Sequence, residues 1–161
     1  KYVGKAYLYN NQMVKSKIWL QQSLPYYEKV MSLSKNVASD SFKIQSFSEA
    51  LNLLEMYNEA MQWILKIPTD KQDAFLERLY AISLNGIGKH VKALQAIEHS
   101  LLECPGEYIS AFYDTKADIL LNLCQTDEAI KVLGLAIEHT DNEKYRNNLL
   151  SKKSTMQVIN A

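Results

Sequence analysis

The residues best suited to chemistry in this chain are three histidines, two cysteines and one closely spaced pair of aspartates. Metal ligands on a helix share a face at a spacing of three or four residues, and no two of the histidines have it. Asp114 and Asp118 do, and could share a proton or a metal, although solvated acids explain the pair more simply. No phosphate-binding loop, nucleophile elbow or convergent acid, base and oxyanion set occurs. The sequence therefore predicts a non-catalytic protein with no cofactor and no metal site.

The overall composition excludes several classes of partner. Eighteen basic and eighteen acidic residues give a formal net charge of zero, so no general field attracts nucleic acid or an anionic membrane. No apolar run approaches the roughly 20 residues that span a bilayer, and no signal peptide opens the chain. Two widely separated cysteines indicate free thiols, which predicts a cytoplasmic location. The chain opens at Lys1 inside a predicted helix, so we expect a fragment of a longer protein.

The segment from Leu84 to Pro105 has the spacing of a helix pair. A turn glycine is followed by a bulky residue, a small residue, a large apolar residue, a second small residue and a terminating proline. Two antiparallel helices approach closely only where small side chains leave room, with larger ones filling the spaces alongside. The residues that carry this pattern are Tyr80, Ala81, Leu84, Ile87, Gly88, His90, Ala93, Ile97, Ser100 and Pro105.

The same order recurs three more times. The small anchors Ser16, Ala60, Ala93 and Ala129 are separated by 44, 33 and 36 residues, and Glu55 and Cys124 take the place of Gly88 in two copies. The pattern resembles the tetratricopeptide repeat, whose period is about 34 residues. That resemblance implies an all-α, right-handed superhelical solenoid of antiparallel helix pairs with a C-terminal capping helix. We expect a single domain, 1–161, with repeats at about 1–34, 41–68, 70–105 and 107–140 and the cap at about 141–159.

Several boundaries are marked by local signals. Pro25 predicts a kink or break in the second helix of the first repeat. Thr69 with Gln72, and Thr140 with Glu143, are capping-box pairs that predict helix starts near residues 70 and 141. The predicted final helix carries an apolar stripe that Lys152 interrupts, and two interpretations stay open: a solvating cap or a basic helix that binds a partner. The other predicted helices span about 1–10, 13–24, 26–34, 41–54, 57–67, 70–85, 89–103, 107–123 and 127–138.

The resemblance also implies where a ligand would bind. Proteins of this family usually hold a partner peptide in a concave groove lined by the first helix of each repeat. Carried onto this sequence, the groove residues are Lys5, Tyr9, Gln45, Glu49, Asn52, Arg78, Ile82, Asn85, Asp114, Asp118 and Asn122. The three asparagines could pair with the backbone of an extended ligand, or could simply suit wet helix ends.

Aromatic residues offer a second set of candidates. Phe42 and Phe75, each near the start of a first helix, could anchor a ligand or could pack beneath the preceding helix. Four tyrosines lie off the repeat register, which leaves them freer to contact a partner: Tyr9, Tyr26, Tyr27 and Tyr108.

Function follows from the resemblance. We expect a protein-protein interaction module that binds a partner peptide or helix in its groove, with no nucleic-acid binding and no membrane insertion by this domain. The alternative is a ligand- or peptide-sensing regulatory domain of a transcription regulator. Self-association is a further expectation, because the edge at Lys1 exposes helix faces that would otherwise be covered.

Overall fold

The computed structural model describes residues 13–33 and 40–159 of the 161-residue chain. Within those ranges the chain forms α-helices and two 3₁₀ helices, with no strand, so the all-α prediction is confirmed. Residues 1–12, which include the predicted first helix, lie outside the described part. The helices are α1 (Met13–Ser32), α2 (Ser41–Leu53), α3 (Tyr57–Ile64), α4 (Ala74–Gly86), α5 (His90–Glu103), α6 (Ile109–Asn122), α7 (Thr126–Glu138) and α8 (Glu143–Ile159), with 3₁₀ helices at Thr69–Lys71 and Gly106–Tyr108.

The chain divides into two compact units, Lys1–Gln72 and Asp73–Ala161. The first unit is built around Phe47 of α2, which is almost fully buried. Its ring stacks on Tyr27 of α1 at 5.3 Å between centroids and meets the edge of Trp63 near the end of α3 at 5.4 Å. Such offset and edge-on aromatic contacts add stability beyond the burial of area alone. One side chain therefore joins α1, α2 and α3, the α-helices described in this unit.

The second unit contains α4 to α8. Helix α5 packs on α4 and α6, α7 packs on α6, and α8 packs on α7. Ala81, Ala93, Ala117 and Ala129 are all completely buried, as expected where helices approach closely. The prediction that small residues mark the helix crossings is confirmed in this unit.

Three helix ends share one unusual backbone conformation. Glu55, Gly88 and Cys124 have φ angles of 64°, 81° and 59°, in the left-handed region that favours glycine. In each turn the next N–H bonds to the carbonyl five residues earlier at 2.9 Å, which is the Schellman motif that ends many helices. These bonds join Met56 to Leu51, Lys89 to Leu84, and Gln125 to Leu120. The sequence register therefore places all three turns correctly, including the two without glycine.

Helix α1 runs through Pro25 without interruption, so of the two predicted outcomes the break is wrong, whereas the kink stays a prediction. Proline removes one backbone donor, and the remaining hydrogen bonds of a 20-residue helix tolerate that loss. Buried Leu20 and Met31 lie on either side of the proline and hold both halves of the helix in place. Tertiary packing thus overrides the local signal.

The predicted start of α4 is also wrong. Residues Thr69–Lys71 form a 3₁₀ helix, and α4 begins at Ala74. The N-cap is Asp73, whose carboxylate accepts the Leu76 N–H at 2.9 Å. The Gln72 side chain instead donates to the Ile67 carbonyl at 2.8 Å, within the first unit.

A similar shift occurs at α8, which begins at Glu143. The side-chain oxygen of Asn142 accepts the Tyr145 N–H at 2.9 Å, so Asn142, and not Thr140, caps the helix. Thr140 accepts the Asn142 N–H at 3.3 Å and shapes the turn before the cap. In both helices the N-cap is a carboxylate or amide directly before the first turn, and not the threonine that the capping-box pattern indicated.

Candidate functional site

The predicted groove residues fall into three groups. Lys5 and Tyr9 lie outside the described residues. On α2, Gln45 and Glu49 are half-buried and Asn52 is buried. The remaining six lie on α4 and α6 of the second unit: Arg78, Ile82, Asn85, Asp114, Asp118 and Asn122.

Arg78 of α4 is used to hold α6. Its Nε donates to the Ala111 carbonyl at 3.2 Å and to the Thr115 hydroxyl at 2.9 Å. The guanidinium carbon also lies 5.6 Å from the centre of the Phe112 ring, within range of a cation–π contact. These contacts make Arg78 an inter-helix brace in the second unit.

Asn85 and Asn122 also pair with each other. The Asn122 amide donates to the Asn85 side-chain oxygen at 3.1 Å, and the same oxygen lies 2.7 Å from Nδ1 of His90. Asn122 is exposed and Asn85 is half-buried. The repeated asparagines of α4 and α6 therefore link neighbouring helices, a use that neither sequence interpretation included.

The two aspartates of α6 are occupied by α8. The Lys152 ammonium lies 2.5 Å from Asp114 Oδ1 and 2.6 Å from Asp118 Oδ1, and the Tyr145 hydroxyl donates to Asp114 Oδ2 at 3.0 Å. Burial raises the pKa of Asp118, with the charge of Asp114 acting in the same direction and Lys152 opposing it. Burial disfavours the charged form of Lys152, but the two carboxylates outweigh that effect and raise its pKa. The lysine that interrupts the apolar stripe of α8 thus has a partner on another helix.

The three histidines have separate partners: Nδ1 of His90 contacts Asn85, and the other two contact residues elsewhere. His99 Nδ1 lies 2.8 Å from a Glu77 carboxylate oxygen, and His139 Nδ1 lies 2.8 Å from the Leu135 carbonyl. Across the described ranges, no three histidine, cysteine or acidic side chains group closely enough to hold a metal ion. None of the helices described is both long and apolar enough to cross a membrane.

The first unit contains an apolar cavity between α1 and α2, which we call the α1–α2 groove. Its volume is about 420 Å³, within the range of ligand-binding clefts. Tyr26 and Phe42 are 74% and 73% exposed, although side chains of this size are usually at least partly buried. The groove is lined by Ser23, Tyr26, Tyr27, Val30, Met31, Phe42, Lys43 and Ser46.

Tyr27 lines this groove, and its ring is stacked on Phe47. Burial raises the pKa of the Tyr27 hydroxyl, and the negative charge of Glu49 acts in the same direction. Both effects favour the neutral hydroxyl of Tyr27. Glu49, a predicted groove residue, acts on Tyr27 through its charge but does not line the α1–α2 groove.

The two phenylalanine candidates behave differently. Phe42 is exposed at the α1–α2 groove, as a ligand anchor requires. Phe75 is half-buried and meets the Tyr108 and Phe112 rings edge-on at 5.1 and 5.7 Å, so it packs within its own unit. Val30 and Met31 were missed as site residues because their positions in a helical stripe are also typical of core residues. The off-register position of Tyr26 and Tyr27 was the signal that could have located the groove.

No protein-family model and no curated protein sequence matches this chain. Among solved structures, it is similar to one described as "MamA RS-1 ArsTM double mutant", with a TM-score of 0.55 and 13% sequence identity. The similarity covers 99% of this chain and 93% of that one. MamA contains tetratricopeptide repeats. This chain has a tetratricopeptide-like helical repeat fold. At this level of identity the likeness shows the fold alone, and the superhelical arrangement stays a prediction.

Proposed function

We propose that this chain is a non-catalytic protein-interaction module whose α1–α2 groove binds an apolar peptide or helix of a partner protein. The observation that carries the proposal is the exposure of Tyr26 and Phe42 beside a cavity of about 420 Å³. Aromatic side chains are enriched at protein interfaces and commonly supply most of the binding energy there. The tetratricopeptide-like fold supports the same class of function.

The location differs from the groove first expected. Arg78 Nε, Asn85 Oδ1 and both carboxylate oxygens of Asp114 bind neighbouring helices of their own unit. A ligand that bound these atoms would compete with those contacts. The α1–α2 groove instead offers apolar surface, which gains free energy directly when it is removed from water.

The expected energetic contribution can be bounded. Fully burying a large apolar side chain contributes about 1.5–3 kcal/mol, and both aromatic residues are largely exposed before binding. Replacing Tyr26 and Phe42 together by serine should therefore weaken partner binding at least about tenfold, which corresponds to roughly 1.4 kcal/mol. Because both side chains are exposed, the free energy of unfolding should change by no more than about 0.5 kcal/mol for each substitution.

Affinity capture from the source extract tests this proposal. The bait with Tyr26→Ser and Phe42→Ser is compared with the unchanged chain and with a control bait carrying Val91→Ser and Leu102→Ser. The control removes two exposed apolar side chains of α5, outside the groove. We expect a protein captured by the unchanged and control baits and lost with the groove variant. Equal recovery with all three baits would refute the groove as the binding site.

A second candidate function uses the same groove. Its volume also suits a small molecule, which favours a ligand-sensing regulatory domain of a transcription regulator. A small ligand that binds only the folded chain raises the melting temperature by mass action. Stabilisation by a small molecule that is abolished by Phe42→Ser, together with no captured protein, would select this candidate.

A further inference from the structure

Helix α8 carries one recognition stripe. Tyr145, Leu149, Lys152 and Met156 follow the spacing i, i+4, i+7 and i+11, which places them on one face of the helix. Leu149 and Met156 are almost fully buried and join the same apolar cluster as Val132 of α7. Tyr145 and Lys152 bind the α6 acids. The stripe has the pattern of an amphipathic helix seated in a groove, with apolar anchors every turn or two.

The surface that receives this stripe lies on α6 and α7, and we call it the α6–α7 surface. Its apolar part includes Ala117 and Val132, and its charged part is the pair Asp114 and Asp118. Two carboxylates face a single ammonium, so the charge of the surface is complementary to the helix that covers it. A helix with the stripe of α8 is therefore the occupant that this surface fits.

Helix α8 buries a smaller share of its residues than its neighbours α6 and α7 do. It buries two of its 17 residues, whereas α6 buries six of 14 and α7 buries four of 13. Segments with few buried contacts open at a lower free energy than the core to which they are attached. A short connection, residues 139–142, joins α8 to α7 and can act as the hinge.

We propose that α8 is an exchangeable occupant of the α6–α7 surface and that the α8 helix of a second copy can take its place, pairing two chains by reciprocal exchange. Every copy carries both the surface and the matching stripe, so exchange recreates each contact while only the hinge changes conformation. This pairing is independent of the α1–α2 groove, which lies in the other unit.

Complementary charge reversals in the full chain test the proposal. One chain carries Lys152→Glu, and the other carries Asp114→Lys with Asp118→Lys. In each chain alone, like charges face each other across the contact between α8 and α6. In an equimolar mixture, exchange of α8 restores opposite charges at both contacts, so native mass spectrometry should show a heterodimer of about twice the chain mass. The control mixture combines Lys116→Glu with Glu98→Lys, which reverses an ion pair of 2.8 Å between α5 and α6.

The expected result is a heterodimer in the first mixture and monomers in the control mixture. Monomers in both mixtures would overturn the proposal. A heterodimer in both mixtures would also overturn it, because the contact would then not involve α8.

Circular dichroism shows whether each charge-reversed chain folds. If one does not, a second measurement tests the proposal with other chains. A fluorescent peptide with the sequence of residues 141–159 is titrated into the unchanged chain and into a chain carrying Lys152→Met. The methionine chain keeps an apolar α8 but loses the ion pair, so it should bind the peptide at least tenfold more tightly. Equal binding, or none to either chain, would contradict exchange at this surface.

Discussion

The turn at Cys124 gives a prediction whose size can be worked out from the backbone. At a φ of 59°, a residue other than glycine carries about 1–2 kcal/mol of strain. Glycine removes that strain but gives the unfolded chain more freedom, which costs about 0.4–1 kcal/mol. Cys124 is an exposed free thiol, so no packing is lost. We therefore expect Cys124→Gly to raise the free energy of unfolding by about 0.5–1 kcal/mol.

Gly88 supplies the reverse substitution. Its φ is 81°, and a Cβ added there would meet no atom within 4 Å, so Gly88→Ala introduces backbone strain without a clash. We expect a loss of about 1 kcal/mol, measured by urea unfolding followed by circular dichroism. Glu55→Gly is a partial control, because it relieves the same strain but removes an ion pair with Lys17. If Cys124→Gly gains nothing while Gly88→Ala loses nothing, the assignment of strain to these turns is incorrect.

Three further predictions concern single side chains. Arg78→Ala should lower the free energy of unfolding by about 1.5–3 kcal/mol in urea, because it breaks charge-assisted bonds to α6; an unchanged value would contradict the role of Arg78 in holding α6. Ser48→Ala should be neutral or stabilise by up to about 1 kcal/mol, because the buried Ser48 hydroxyl has no hydrogen-bond partner among residues 13–33 and 40–159; a marked thermal destabilisation would show that it has one. The hydrogen bond and charge of Glu77 raise the pKa of His99, so this pair stabilises the fold below the unfolded pKa of about 6.5 and loses that effect as the pH rises through the folded value. Thermal melts of His99→Gln should lack this pH-dependent component, and an identical pH profile would contradict it.

The sequence predicted the features that are set by local geometry. Small residues such as Ala93 and Ala129 mark helix crossings because close approach excludes larger side chains, and this can be seen from spacing alone. Positive φ at Cys124 followed from its place in the repeat, although the residue type gave no indication of it.

Features that depend on distant partners could not be predicted in this way. Lys152 looked like a defect in an apolar stripe because its partners, Asp114 and Asp118, belong to another helix. Arg78 was assigned to the groove, and the repeat register does not say whether a neighbouring helix supplies its acceptors. The break predicted at Pro25 does not occur for a similar reason, because the packing of both halves of α1 decides whether the helix is continuous.

Site-specific photo-crosslinking tests the central claim most directly. Phe42 is replaced by a photoreactive phenylalanine analogue, and the same analogue replaces Leu102 of α5, which is 82% exposed outside the groove. On irradiation in the source extract, we expect a discrete protein adduct from position 42 that is absent from position 102 and is reduced by Tyr26→Ser. No adduct from position 42, or the same adduct at equal yield from both positions, would contradict the assignment of the α1–α2 groove as a protein-binding site.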